Sequence, residues 1–175
     1  RAPRASLPLC RAPRHRHGEA LDRARRSRDL RLAPPLARRQ TQSPDASDLY
    51  LRGLNFQNQR TPATNRRAIE YYTRATEVDP NYALAWSAIA RVLASGLING
   101  DASPVEVLPR AREAAARAVR AGPETAEAQF ALAYLKWCCE WDWPGAEAGF
   151  RQALTLDPRF AQAHLTLGHA LSQMG

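Results

Sequence analysis

Apolar residues recur at helical spacing from Ser47 onward, and most prolines there fall between the periodic segments. Three segments share one frame with fixed spacing. Each begins with a small residue, continues with a second position that is large in two of the three segments, and ends with another small residue and a proline. The frames are Ala68-x3-Tyr72-x2-Ala75-x4-Pro80, Ala111-x3-Ala115-x2-Ala118-x4-Pro123 and Ala146-x3-Phe150-x2-Ala153-x4-Pro158. Spacings of three and four residues place side chains on one face of a helix. The pattern predicts three equivalent helices, each ended at its proline, because proline and the residue before it both disfavour helix.

Another helix precedes each of these, with a frame of its own. The first-helix frames are Leu49-x2-Arg52-Gly53-x2-Phe56, Trp86-x2-Ile89-Ala90-x2-Leu93, Gln129-x2-Leu132-Ala133-x2-Lys136 and His164-x2-Leu167-Gly168-x2-Leu171. Over residues 47–175 the two frames together resemble the tetratricopeptide repeat, with its pattern W-x2-L-G-x2-Y…A-x3-F…P. The resemblance implies an all-α, right-handed superhelix of about three helix pairs plus a final lone helix. Arg52, Gln129 and Lys136 stand where that family prefers apolar residues, which predicts looser packing there.

The repeats are expected in a domain over residues 46–175, at about 47–80, 81–123, 124–158 and, in part, 159–175. Relative to the family spacing, insertions of 3, 9 and 1 residues fall between the two helices of successive pairs. Ser103-Pro104-Val105-Glu106 has the form of a capping box, and Pro109 predicts a kink or a short turn before the following helix. Because the last helix lacks a partner, we expect the natural chain to continue beyond Gly175.

Residues 1–45 have a different composition, with twelve arginines, six prolines and four acidic residues. The formal net charge of +8 therefore lies entirely in this quarter of the chain. Without sustained apolar periodicity the segment cannot bury enough surface to offset the entropy of ordering, so it is expected to be a disordered tail, with at most a brief helix over Leu21–Leu32. A phosphate-binding arm and an organelle-targeting leader are the alternatives. No aromatic residue is present to stack on bases, so a nucleic-acid partner would have to bind through the charge of the tail alone.

The residue types that support catalysis or metal binding do not form a recognisable pattern. Cys10, Cys138 and Cys139 are odd in number and lack the spacing of a zinc module or a disulfide framework, which favours a reducing, cytoplasmic compartment. The carboxylates are scattered, and no nucleophile lies beside a base. We expect a protein that is not an enzyme, without metal or cofactor and without a membrane-spanning run.

Four aromatic residues cluster near the third pair. Tyr134, Trp137 and Trp141 have spacings of i, i+3 and i+7 and are predicted to share one helix, with Trp143 just beyond. An aromatic cage or a base-stacking surface is one interpretation. A packing cluster is the other, since aromatic stripes at helical spacing usually belong to a core.

The family resemblance also implies a function, the binding of a peptide or partner protein in a concave groove lined by the first helices. The positions carried over from the repeat frame are Tyr50, Gln57, Asn58, Ser87, Arg91, Phe130, Tyr134 and His169. Arg91 would favour an acidic residue or a C-terminal carboxylate of the ligand. The Lys/Asn/Arg clamp of relatives that bind chaperone tails is absent, so chaperone tails are not the expected ligand. The alternatives are nucleic-acid binding through the tail and an inner face without a ligand.

A narrower resemblance concerns the context of the repeats. Leu-Tyr-Leu-Arg-Gly, the Arg-Thr-Pro turn, the Ser-Pro insertion and Trp-Asp-Trp are similar to repeat arrays of bacterial multidomain regulators. In those proteins the repeats follow winged-helix, kinase or cyclase domains, and no such domain can be recognised here. The resemblance implies a piece of a larger regulatory protein.

Overall fold

The computed structural model describes residues 41–101 and 103–174, and this part of the chain consists of seven α-helices that pack in consecutive pairs. The helices are α1 (Pro44–Gln57), α2 (Pro62–Val78), α3 (Ala83–Ile98), α4 (Pro104–Ala121), α5 (Ala126–Leu135), α6 (Trp143–Leu156) and α7 (Ala161–Met174). The predicted all-α architecture of three pairs and a lone helix is confirmed. Of the predicted tail, residues 1–40 lie outside the described residues, and so does the predicted helix over Leu21–Leu32.

The second helix of each pair ends where its proline predicts. Helices α2, α4 and α6 stop at Val78, Ala121 and Leu156, each two residues before a proline. The capping residue in between donates its backbone N–H to the carbonyl of the second small residue of the frame, for example Asp79 to Ala75. The frame thus sets both the buried face of the helix and its end.

Side-chain caps begin three of the helices. Ser43 accepts a hydrogen bond from the N–H of Ala46 at the start of α1, and Asp142 accepts one from Gly145 at the start of α6. At α2, Thr61 and Thr64 each accept from the backbone N–H of the other, which is a reciprocal capping box. These bonds satisfy donors that a helix leaves unpaired at its first turn.

Two expectations about α4 are wrong. Ser103 precedes the helix without a side-chain cap, and α4 runs through Pro109 without a break. Proline at position 109 cannot donate to the carbonyl of Val105, but Val105 is 84% exposed, so water can take the place of the missing donor. The insertion before α4 is also only partly a loop, because α3 continues to Ile98 and α4 already begins at Pro104.

Helix α5 does not extend to Trp141, so the prediction of three aromatic residues on one helix is wrong. After Leu135 the chain widens into a π-helical turn over Lys136–Glu140, and Trp141 then adopts a left-handed conformation with φ of 58°. A left-handed residue ends a helix. Trp137 still packs on Tyr134, with ring centroids 5.6 Å apart, whereas Trp141 is 70% exposed and meets Trp143 edge-on.

Three aromatic rings meet where the first pair contacts the start of the next repeat, and three meet at the equivalent place after the third pair. We call these sets the aromatic triads; they are Tyr50, Tyr72 and Tyr82 in the first and Phe130, Phe150 and Phe160 in the third. The ring-centroid distances from Tyr50 and Phe130 to the other members lie between 5.1 and 5.5 Å. In the second pair the equivalent residues are Ser87, Ala115 and Thr125. The rings fill the space between successive helices where the triads occur.

The polar residues at apolar frame positions have specific partners. Gln129 Nε2 donates to the carbonyl of Pro123 at 2.7 Å, in the same way that Trp86 Nε1 donates to Pro80 at 2.9 Å. His164 Nε2 reaches Pro158 equivalently, at 3.0 Å. At the other two positions Arg52 pairs with Asp48 and Lys136 with Asp142. Gln129 stands where the repeat pattern has tryptophan, and it still supplies the N–H that donates to the prolyl carbonyl.

Candidate functional site

Arg91 is the centre of a polar cluster to which all four first helices contribute. It lies half-buried on α3, and its Nη1 donates to Oε1 of Gln162 on α7 at 3.1 Å. Its Nε is buried and has no hydrogen-bond partner in the described part of the chain. The charge of Arg91 acts electrostatically on Tyr50 of α1 and Glu127 of α5, in the direction that lowers the pKa of each. An unpaired buried N–H costs free energy that an acceptor on a ligand would recover.

The titratable groups of this cluster are shifted by burial. Burial raises the pKa of the Glu127 carboxyl above its ordinary value of 4.5, and the Arg91 guanidinium only partly opposes this. Burial also raises the pKa of the Tyr50 hydroxyl, with Arg91 again acting in the opposite direction. Glu127 is thus a carboxyl on which the Arg91 charge acts, although the two side chains form no ion pair in the described part of the chain.

Tyr134 adds an aromatic wall to the cluster. Its ring stacks on Phe130 with centroids 5.8 Å apart and contacts Trp137 on the other side. Burial raises the pKa of its hydroxyl, while a hydrogen bond with the Ser95 side chain acts to lower it. The ring packs on these two aromatic neighbours and is half-buried, so part of it is accessible to a ligand.

The predicted groove residues fall into different environments. Tyr50, Arg91 and Tyr134 come together around the Arg91 charge. Ser87 and Phe130 are 2% and 0% exposed, so in this conformation they pack the interior instead of facing a ligand. The Ser87 hydroxyl donates to the carbonyl of Ala83, and Phe130 belongs to a triad.

Of the remaining three predicted residues, Gln57 and Asn58 lie at the carboxyl-terminal end of α1, and His169 lies within α7. Gln57 is at the last position of α1, where its Oε1 accepts a hydrogen bond of 2.6 Å from the hydroxyl of Tyr72. Asn58 follows as an exposed cap, and His169 is exposed on α7. Gln57 therefore supports the first triad, and Asn58 and His169 are free to contact a ligand.

Glu127 and Gln162 belong to the cluster and were missed by the sequence analysis. Both stand two residues before the first position of their first-helix frames, Gln129 and His164. Comparison of this position among the repeats could have found them. This comparison finds an acidic side chain in the third repeat and an amide side chain in the next. Both lie at the start of first helices, which the family resemblance already predicted to line the binding groove.

The two neighbouring cysteines lie within the π-helical turn. Cys138 and Cys139 are free, half-buried thiols with their Sγ atoms 3.1 Å apart, and they pack against the core around α3. Burial and the thiol of Cys139 raise the pKa of Cys138. A thiol whose pKa is raised in this way is a poor nucleophile. Cys10 lies outside the described residues.

Other classes of site are not found where the structure can be described. Residues 41–101 and 103–174 contain no group of three potential metal-ligating side chains. None of the seven helices in these ranges is both long enough and apolar enough to cross a membrane.

Comparisons with known proteins show the fold. No protein-family model matches the sequence, and no curated protein matches it significantly. Among solved structures, the chain is similar to the first TPR of Spaghetti (RPAP3) bound to the HSP90 peptide SRMEEVD, with a TM-score of 0.56 and 16% identity over 77% of this chain and 97% of that chain. It is also similar to the MamA RS-1 ArsTM double mutant, with a TM-score of 0.51 and 20% identity over 90% of this chain and 80% of that chain. The chain therefore has a tetratricopeptide-like fold of paired helices.

Proposed function

We propose that the repeat domain is a non-enzymatic interaction module that binds an extended peptide or a partner protein along its first helices, with Arg91 as the central anchor. The single observation that supports this most is the buried, unpartnered Nε of Arg91, beside a guanidinium nitrogen that is paired only with a neutral amide. A carboxylate of the ligand would satisfy both the hydrogen-bonding capacity and the charge of this side chain. The aromatic walls formed by Tyr50 and Tyr134 would contact its neighbouring residues.

The related structure with a bound peptide supports the same use of the fold. The first TPR of Spaghetti holds an acidic peptide, whereas this chain has no cation other than Arg91 among the predicted groove residues. We therefore expect a ligand with one anchoring carboxylate flanked by apolar or amide side chains, and not a multiply acidic chaperone tail. The role as part of a larger regulatory protein rests on the sequence resemblance to bacterial regulators alone.

The test begins with selection of binders from a displayed random peptide library, followed by fluorescence-polarisation titration of the best peptide. The double variant Arg91→Ala with Tyr134→Ala should weaken binding at least tenfold, about 1.4 kcal/mol. Arg120→Ala, an exposed arginine at the end of α4, is the control and should bind normally. A chain lacking residues 1–45 should also bind normally. Loss of binding on that deletion, with strong salt dependence, would instead favour a tail that binds nucleic acid.

The competing groups inside the cluster give a second, opposite readout. Glu127→Gln removes a carboxyl that interacts electrostatically with Arg91, and Gln162→Ala removes the amide that accepts a hydrogen bond from its Nη1. Both changes should raise affinity for a carboxylate-bearing peptide, whereas loss of the anchor lowers it. If Glu127→Gln and Gln162→Ala both leave affinity unchanged while Arg91→Ala reduces it, the ligand contacts Arg91 without displacing either group, and the carboxylate model fails.

A further inference from the structure

A cavity of about 210 Å³ lies between α2 and α4, above the carboxyl-terminal half of α3. Its floor is apolar and is formed by Ile69, Val92, Leu93 and Val107, of which the last three are at most 8% exposed. Arg66 of α2 and Arg110 of α4 also line it, and both are exposed. The cavity therefore combines a buried hydrocarbon surface with two cations on opposite helices.

This cavity is separate from the cluster around Arg91. Val92 follows Arg91 directly in α3, and successive residues of a helix point about 100° apart. Part of the lining, including Gly96 and Asp101, belongs to the nine-residue insertion that is unique to the second pair. The insertion thus contributes to the wall of the cavity, while Leu93 of the repeat frame contributes to its floor.

The charges of the cavity are not neutralised by ion pairs. Within the described ranges Arg112, Arg117 and Arg151 each pair with a glutamate, but neither Arg66 nor Arg110 forms an ion pair. Asp101 is the acidic residue among those that line the cavity, which leaves a net charge of +1 there. An anionic group is consequently favoured, and guanidinium groups bind carboxylates well.

The volume limits the apolar part of the ligand. A cavity of this size has room for about seven water-sized volumes of roughly 30 Å³ each. We propose that it binds a small, straight-chain carboxylic acid of about eight carbons, with the chain on the apolar floor and the carboxylate between Arg66 and Arg110. The apolar floor alone would accept many hydrocarbons, and the two arginines select the acid.

Octanoate is the probe for a first test on the full chain with labelled methyl groups. Nuclear magnetic resonance should show saturable shifts of the Ile69, Val92, Leu93 and Val107 methyls below the concentration at which octanoate forms micelles. Neutral octanamide and short-chain acetate should each bind at least tenfold more weakly, since one lacks the charge and the other lacks the chain. Absence of saturable shifts in these methyl groups overturns the proposal, and equal binding of octanamide overturns the role of the arginines.

Matched variants provide the second test. Arg66→Gln with Arg110→Gln should weaken octanoate binding at least tenfold, while Arg67→Gln with Arg120→Gln, which changes exposed arginines outside the cavity, should not. Asn65 lies half-buried in the cavity wall, so Asn65→Trp should fill the space and abolish binding. Unchanged binding by Asn65→Trp, with normal helix content, would show that octanoate binds elsewhere. If Asn65→Trp does not fold, the arginine pair and its control decide.

Arg91→Ala separates this site from the proposed peptide site. It should leave octanoate binding intact, because Arg91 does not line the cavity. Loss of octanoate binding in that variant would mean that the acid occupies the Arg91 cluster, and the cavity proposal would fail.

Discussion

The first and third helix pairs pack around aromatic triads, whereas the second pair packs around small residues at the same positions. Tyr50 and Phe130 each pack on the two other rings of their triad, but the equivalent positions of the second pair hold Ser87, the fully buried Ala115 and the half-buried Thr125. The second pair compensates in length, because α4 has 18 residues and α3 buries ten of its side chains. The same frame positions can therefore hold large rings, as in the first and third pairs, or small side chains, as in the second pair.

Removal of a triad ring should have the largest effect on stability. Phe150→Ala deletes a fully buried ring that contacts Phe130, and we expect a loss of about 3–5 kcal/mol in the free energy of unfolding. Urea denaturation followed by circular dichroism measures this. Leu156→Ala, at a 40% exposed position of the same helix, is the control and should change stability much less. Equal effects of the two changes would contradict the role of the triad.

Introduction of a ring into the second pair should also destabilise the protein. Ala115→Phe places an aromatic ring in the second pair at the position that holds Tyr72 in the first pair and Phe150 in the third. Ala115 itself is 0% exposed in a closely packed core. Overpacking there should cost about 1–3 kcal/mol in the free energy of unfolding. Ala148→Phe, at an exposed position of α6, provides the comparison. An unchanged or raised stability of Ala115→Phe would mean that the middle pair has unused space after all.

The first triad also depends on a glycine in the adjacent helix. A Cβ atom added at Gly53 would lie 2.5 Å from Cε1 of Tyr72, whose ring is held by Tyr50 and Gln57. Gly53→Ala should therefore cost about 1–3 kcal/mol. Gly168→Ala, at the same frame position of α7, meets no atom within 4 Å and should gain about 0.5–1 kcal/mol from helix propensity. The same sign for both changes would refute this explanation.

The smallest expected effect distinguishes the two triads from each other. Tyr72 carries a hydroxyl that bonds to Gln57, and the equivalent Phe150 carries none. Tyr72→Phe should lower the free energy of unfolding by about 0.5–1.5 kcal/mol, because the Gln57 oxygen loses its donor. Tyr71→Phe, in a ring that stacks on Phe56, is the adjacent control. A tyrosine triad that tolerates both changes equally would owe its stability to ring packing alone.

The sequence predicted the helix pairs and the ends of the second helices because proline and helical periodicity act locally. It did not predict the π-helical turn or the left-handed Trp141, since both depend on how the chain reaches α6. The burial of Ser87 and Phe130 was likewise missed, because the repeat frame specifies a position and not the size of its neighbours. The pairing of Arg91 with Gln162 joins residues 71 positions apart in the sequence, which the sequence pattern of a single repeat cannot predict.

The hydrogen bonds to the prolyl carbonyls bear on how such a repeat can evolve. An indole, a carboxamide and an imidazole each place an N–H on the carbonyl six residues earlier, in Trp86, Gln129 and His164. In these three helices the position keeps a donor of suitable reach although its size and hydrophobicity change widely. Exchange among donor-bearing residues can therefore remove the signature tryptophan of a repeat and still preserve the hydrogen bond that secures the turn before the helix.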